Sequence, residues 1–147
     1  MDAGNFIAIG ENIHCTRIVK RNGKRAKTLP SGREAVIFEY RGEERCLNIP
    51  ENWGTISPAF EQGQVKHGAL AIHQAMNASG EDQKDGEDYL RWMADRQIAG
   101  GATFLDVNVD EFATDKARVL EAMAFVSSFL GKNYEIPLSI DSSDPET

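Results

Sequence analysis

The 147-residue chain has few of the features that mark exported, membrane-embedded or disulfide-stabilised proteins. No apolar run approaches the roughly 20 residues of a transmembrane helix. The N-terminus has neither the basic nor the apolar segment of a signal peptide. We therefore expect a cytoplasmic protein that makes no membrane contact. Its two cysteines, Cys15 and Cys46, show no metal-binding spacing, so both thiols are expected to be free.

Several common catalytic signatures are also missing. The sequence contains no GxGxxG loop, no P-loop and no GxSxG motif. The main support for dinucleotide-binding, P-loop and serine-hydrolase functions is therefore absent. The length excludes a complete (β/α)8 barrel, which needs about 200–250 residues.

Basic residues are fewer than acidic ones, and they are unevenly placed. The net charge is −7, from 23 acidic and 16 basic residues, which argues against a nucleic-acid-binding protein. The segment 12–33 nevertheless holds no acidic residue and seven basic ones: Arg17, Lys20, Arg21, Lys24, Arg25, Lys27 and Arg33. We call this segment the basic loop. It is interpreted either as a solvated loop or as a loop that binds an anion.

Hydrophobic patterning predicts an α/β fold. Strands are expected over 6–10, 103–105 and 137–140, and a β-hairpin over 34–40 and 45–49. Helices are expected from Ser57 to about Met76, over 87–99, and from Thr114 to Gly131, with a linker over 77–86. From Thr103 onward the order is strand, helix, strand, so these two strands should be parallel.

Polar side chains follow each predicted strand of this sheet. They are Glu11, Asn12 and His14 after the first, Asp106, Asn108, Asp110 and Glu111 after the second, and Asp141 and Ser142 after the third. The carboxyl ends of parallel strands meet at one edge, and a carboxylate that follows a buried strand is costly unless it is satisfied. We therefore predict a ligand site there. A helix-capping role for the single aspartates and a Mg²⁺ site remain alternatives, whereas no zinc motif is present.

Three segments resemble one known family. The segments 9–12 (IGEN), 101–111 (GATFLDVNVDE) and 136–143 (IPLSIDSS) look like the first three strands of a pterin-binding barrel. The resemblance extends to methyltetrahydrofolate:corrinoid methyltransferases and the folate domain of cobalamin-dependent methionine synthase, and more distantly to dihydropteroate synthase. It implies that residues 1–147 form the N-terminal part of a TIM barrel, an incomplete barrel domain with about three parallel strands.

The resemblance also implies a function and a site. The expected activity is transfer of the N5-methyl group of methyltetrahydrofolate to the cobalt of a corrinoid protein, the cobalamin-type cofactor being held by that partner. Pterin-binding residues would be Asp141, Asn108, Asp106 and Ser142, and a candidate active-site loop would contain Glu11, Asn12 and His14. No catalytic residue and no metal are assigned, and the resemblance allows a homodimer.

Two departures from the family pattern keep alternatives open. His14-Cys15-Thr16 stands where relatives have an asparagine-containing loop, and the segment 17–85 is a long insertion before the helix and βαβ unit of 86–147. This insertion is hypothesised to be a lid, whose basic loop meets the glutamate tail of folate or an acidic corrinoid protein. The alternative functions are a dihydropteroate synthase-like enzyme and a non-catalytic module that binds pterin or docks a corrinoid protein.

Overall fold

The computed structural model describes residues 7–147, which form strands and helices in alternating groups. The strands are β1 (Ile9–His14), β2 (Ile18–Lys20), β3 (Ala26–Thr28), β4 (Glu34–Tyr40), β5 (Glu43–Asn48), β6 (Gln64–Lys66), β7 (Phe104–Asn108) and β8 (Leu138–Ile140). The α-helices are α1 (Trp53–Ile56), α2 (His67–Asn77), α3 (Gly80–Ala99) and α4 (Lys116–Asn133). A short 3-10 helix, Pro58–Gln62, lies between α1 and β6.

A parallel three-stranded sheet with the order β1-β7-β8 carries the candidate site. Its β7-α4-β8 portion confirms the predicted βαβ unit, but β7 extends to Asn108, so Asp106 and Asn108 lie within the strand and not after it as expected. The Asp115 side chain, rather than the expected Thr114, caps α4 by accepting a hydrogen bond from the Ala117 backbone N–H at 3.0 Å. Gly131 does not end α4, because the helix continues to Asn133.

The first strand lies later in the chain than the sequence predicts. The expected strand covered 6–10, of which Phe6 lies outside the described residues, whereas β1 covers Ile9–His14. Parallel pairing with β7 places Ile13 beside Val107 and His14 beside Asn108, after an irregularity between Gly10 and Ile13. Polar residues that were expected in a loop therefore belong to a strand.

The predicted hairpin is present, and it belongs to a larger sheet. Strands β4 and β5 pair antiparallel, and β3 adds to the other side of β4. Because β2 and β3 both lie within the segment 12–33, the basic loop is not the continuous loop that the sequence predicts. The β4-β5 turn is made by Arg41 and Gly42, which have φ of 53° and 79°. Phe38 packs edge-on against Tyr89 of α3 with the ring centres 4.9 Å apart, so this sheet rests on α3.

The long helix predicted from Ser57 to Met76 is wrong in its first half. Gly63, in the left-handed region at φ 83°, follows the 3-10 helix. Val65 then pairs with Val19 of β2, so it is a strand residue and not part of a helical face. The predicted helix is therefore divided into the 3-10 helix Pro58–Gln62 and the α-helix α2, with a strand between them.

The predicted linker over 77–86 is also wrong. Helix α3 begins at Gly80, inside that segment and before the expected start of the 86–147 region. Its polar residues include Asp85 and Asp88, which are buried because Arg45 of β5 donates hydrogen bonds to both carboxylates. The sequence pattern could not show a partner that lies forty positions away.

No helix in the described part of the chain is long and apolar enough to cross a membrane.

Candidate functional site

Strand β7 has one apolar face and one polar face. Leu105 and Val107 are completely buried in the core, and the alternate residues Asp106 and Asn108 lie on the opposite face. In the register of the sheet, Asp106 lies beside Ser139 of β8, and Asn108 lies beside His14 of β1. The pairing therefore brings polar residues of three strands onto one face near their carboxyl ends.

His14, Asp106 and Asp141 come together on this face, and we call them the strand-end triad. The nearest side-chain nitrogen or oxygen atoms of the three residues all lie within 4.8 Å of one another. His14 Nε2 is 2.7 Å from Asp106 Oδ2. Asp106 is 6% exposed and His14 is 9% exposed, whereas Asp141 is open to solvent. The triad thus has a buried pair beneath an accessible carboxylate.

The buried pair fixes the proton on the imidazole of His14. An ionised carboxylate only accepts hydrogen bonds, so Nε2 carries the hydrogen that is donated to Asp106. Nδ1 is then the ring nitrogen that carries no hydrogen in the neutral imidazole and can accept one. The dyad therefore has the arrangement of a proton-transfer group.

Asp110 and Ser142 form a second polar contact that the sequence did not suggest as a pair. The Ser142 hydroxyl donates to Asp110, as do the backbone N–H of Ser143, at 2.8 Å, and its hydroxyl, at 3.1 Å. The hydrogen bond from Ser142, followed by that from the Ser143 backbone, lowers the pKa of Asp110. These hydrogen bonds supply partners for the Asp110 carboxylate and connect the loop after β7 to the loop after β8.

The remaining predicted site residues have other local partners. Asn108 Oδ1 accepts from the backbone N–H of Asp110 at 3.0 Å, which shapes the loop after β7. Glu111 forms an ion pair with Lys66 at 2.8 Å. The backbone N–H of Asn12 donates to Gln97 at 3.0 Å, and Glu11 lies 3.8 Å from Arg17. The structure thus selects His14 from the predicted first loop.

A cavity of about 650 Å³ adjoins this edge of the sheet. One wall is the loop 110–115 after β7, and the other comes from the insertion, at 53–59. Asp110 lines the cavity and also accepts the hydrogen bonds from Ser142 and Ser143, whereas the triad residues do not line it. Its volume is in the range of small-molecule sites. Part of the insertion therefore borders the strand ends, while its three-stranded sheet rests on α3.

The triad also offers one nitrogen and two carboxylates to a divalent cation. Two ligands of one ion at about 2.1 Å lie roughly 3.0–3.4 Å apart in octahedral or tetrahedral geometry. His14 Nε2 and Asp106 Oδ2 are closer, at 2.7 Å, which is a hydrogen-bonding distance. A cation would have to separate this pair, so the observed geometry is that of a proton-sharing dyad.

Comparison with protein-family models, with curated proteins and with solved structures finds no match.

Proposed function

We propose that the chain is the pterin-binding part of a methyltransferase that moves the N5-methyl group of methyltetrahydrofolate to the cobalt of a corrinoid protein. The observation that carries this proposal is the convergence of His14, Asp106 and Asp141 on one face of a parallel sheet. Asp106 and Asp141 lie in two of the three segments that resemble the pterin-binding family, whereas His14 lies two residues after the first segment, where this chain departs from the family pattern.

Asp141 is the carboxylate best suited to hold the pterin. Within the described residues its side chain makes no hydrogen bond and no ion pair, whereas Asp110 already accepts from Ser142 and Ser143. Its backbone is fixed, because its N–H donates to the Val107 carbonyl at 2.9 Å. The pyrimidinone edge of a pterin presents N–H donors, and hydrogen bonds to a charged acceptor are the strong kind. Asp141 thus combines a fixed position with free acceptor capacity.

The dyad of His14 and Asp106 is suited to the chemical step. Transfer of the methyl group breaks its bond to N5, and the nitrogen keeps the electron pair. N5 is a poor leaving group unless it receives a proton or a hydrogen bond. Imidazole is the side chain most often used for such transfer, and His14 would act in its doubly protonated form, in which Nδ1–H donates to N5 while Nε2–H stays bonded to Asp106. The corrinoid of the partner protein supplies the methyl acceptor.

The proposal includes a TIM barrel of which β1, β7 and β8 are the first three strands. In support, the strands are parallel, and polar groups meet at their carboxyl ends, where barrel enzymes bind substrate. Ile9 of β1 and Ile140 of β8 are 53% and 49% exposed, which leaves apolar surface for further elements to cover.

Calorimetric titration of the full-length protein with methyltetrahydrofolate tests the binding role. We expect Asp141→Asn to weaken binding about 10- to 100-fold, as expected for loss of a charge-assisted hydrogen bond. Asp115→Asn is the matched control, because Asn also caps a helix. Equal affinity of the wild type and Asp141→Asn would remove Asp141 from the site, and failure of the wild type to bind would reject the proposal. Tighter binding of pterin pyrophosphate would favour the dihydropteroate synthase-like alternative.

A methyl-transfer assay with reduced cobalamin tests the role of the dyad. We expect His14→Gln to lower kcat about 100-fold or more while KM changes little, since general acid catalysis contributes about that much. Binding without transfer by the wild type would identify a non-catalytic module.

A further inference from the structure

A second cavity, separate from the strand-end triad, lies on the helix side of β1. Its volume is about 270 Å³, and it lies between the segment after β1, the start of α2 and the C-terminal half of α3. Three guanidinium groups, an indole and an imidazole line it, from Arg17, Arg25, Arg96, Trp92 and His67. We call it the arginine cavity.

The positive charge of this cavity is largely uncompensated. Arg25 and Arg96 form no ion pair within the described part of the chain, and both lie over the Trp92 ring, at 5.0 and 4.7 Å from its centre. Arg17 has one carboxylate nearby, Glu11 at 3.8 Å, in an exposed and therefore weak pair. Three arginines that converge without a buried anion repel one another, so an acidic ligand would stabilise the group.

The other two arginines of the basic loop form close ion pairs. Arg21 is 2.8 Å from Glu34, and Arg33 is 2.9 Å from Asp82. These two residues belong to the basic loop and already have partners. Of the arginines in that loop, Arg17 and Arg25 therefore remain for an outside anion.

A hydrogen-bonded chain directs one more donor at the cavity. Arg25 donates to the Tyr89 hydroxyl at 2.7 Å, and that hydroxyl lies 2.9 Å from His67 Nδ1. Because the Tyr89 hydroxyl already accepts from Arg25, its own proton is available for Nδ1, and we assign the contact as donation from Tyr89 to His67. Burial, reinforced by Arg25 and Arg17, lowers the pKa of His67 to about 4, so the ring is neutral and its hydrogen is on Nε2. His67 is only 8% exposed, and Nε2 has no partner among the described residues.

We propose that the arginine cavity binds the phosphoryl group of a phosphate-bearing ligand. Guanidinium groups match the oxygens of phosphate in pairs, and the neutral imidazole adds an N–H donor. Its volume lies just below the range of drug-sized sites, which favours a compact anion. The proposal does not depend on the methyltransferase function, because its residues are distinct from His14, Asp106 and Asp141.

Titration of the full-length protein with inorganic pyrophosphate at low ionic strength tests this proposal. We expect saturable binding at one site per chain, weakened at least 10-fold by Arg96→Gln and by Arg17→Gln. Both residues are exposed, so these variants should fold normally. Arg41→Gln is the matched control, because Arg41 also lies over an aromatic ring, at 5.0 Å from the centre of Tyr40, but outside the cavity.

Three results would overturn the proposal. They are an absence of saturable binding by the wild type, equal weakening in Arg41→Gln, and tighter binding of the dicarboxylate glutarate than of pyrophosphate. Methyltetrahydrofolate binding is measured on the same variants. It should be unchanged in Arg96→Gln, which distinguishes failure of this proposal from failure of the methyltransferase function.

Discussion

Replacement of Gly86 by alanine tests how closely α2 and α3 must pack. A Cβ atom at this position would lie 2.6 Å from the Ala75 backbone nitrogen and 2.8 Å from the Ala71 carbonyl oxygen. Ordinary contacts begin at 3.4 Å, so the helices would have to separate by about 0.6–0.8 Å at this point. Because the obstructing atoms are backbone, rotation of a side chain cannot relieve the clash.

The magnitude follows from two opposing terms. Overpacking of this kind costs about 1–3 kcal/mol, and alanine gains about 1 kcal/mol over glycine inside a helix. We expect the free energy of unfolding of Gly86→Ala to fall by up to about 2 kcal/mol, read from the urea midpoint at unchanged m-value. Larger side chains, as in Gly86→Val, should destabilise the protein further.

Gly131→Ala is the matched control, since Gly131 is also helical and a Cβ there would meet nothing within 4 Å. It should keep only the propensity term and gain about 0.5–1 kcal/mol of stability. If Gly86→Ala proved as stable as Gly131→Ala, the close packing of α2 against α3 would be refuted.

Three further predictions concern buried groups. His67, whose pKa falls from 6.5 to about 4 on folding, takes up protons more readily in the unfolded chain. The free energy of unfolding should therefore decrease by about 1.4 kcal/mol for each unit by which the pH is lowered from 6.5 to 4, as measured by denaturation at each pH. Burial raises the pKa of the Cys15 thiol to about 12, so at pH 8 it should react with a thiol reagent only after unfolding. Arg45→Met should cost about 3–5 kcal/mol in urea denaturation, because it leaves Asp85 and Asp88 buried without that partner.

Each of these predictions has a control. His67→Gln should lose most of the stability change between pH 6.5 and 4, and a wild-type slope near zero would contradict the burial argument. Rapid labelling of native Cys15 would show that the thiol is accessible. Arg41→Met, at an exposed turn, should cost far less than Arg45→Met; equal costs would mean that the buried ion pairs contribute little.

Local sequence patterns determined the elements whose stability depends on near neighbours. The apolar periodicity of α4, the alternation of β4 and β5, and the polar residues after β7 and β8 were all visible without a structure. The residues at the strand ends were likewise predictable as a set. A buried apolar strand ends where polar residues begin, and this change in residue type is visible in the local sequence.

Longer-range pairing decided where several elements begin. β1 extends through His14 because β7 supplies hydrogen-bonding partners, and Val65 is in a strand because β2 lies beside it. α3 begins at Gly80, although the segment is polar, because Arg45 satisfies the buried Asp85. Periodicity within one segment contains no information about such partners.

The sequence thus determined that acidic and polar side chains gather at the carboxyl ends of parallel strands. Only the tertiary structure decided which of them are free to act: Asp110 is held by Ser142, whereas Asp141 is open beside the dyad of His14 and Asp106. The arginine cavity likewise needs Arg17 and Arg96, which lie far apart in the chain. The physical reason is that a polar side chain acquires its role from the partners that folding brings within hydrogen-bonding distance.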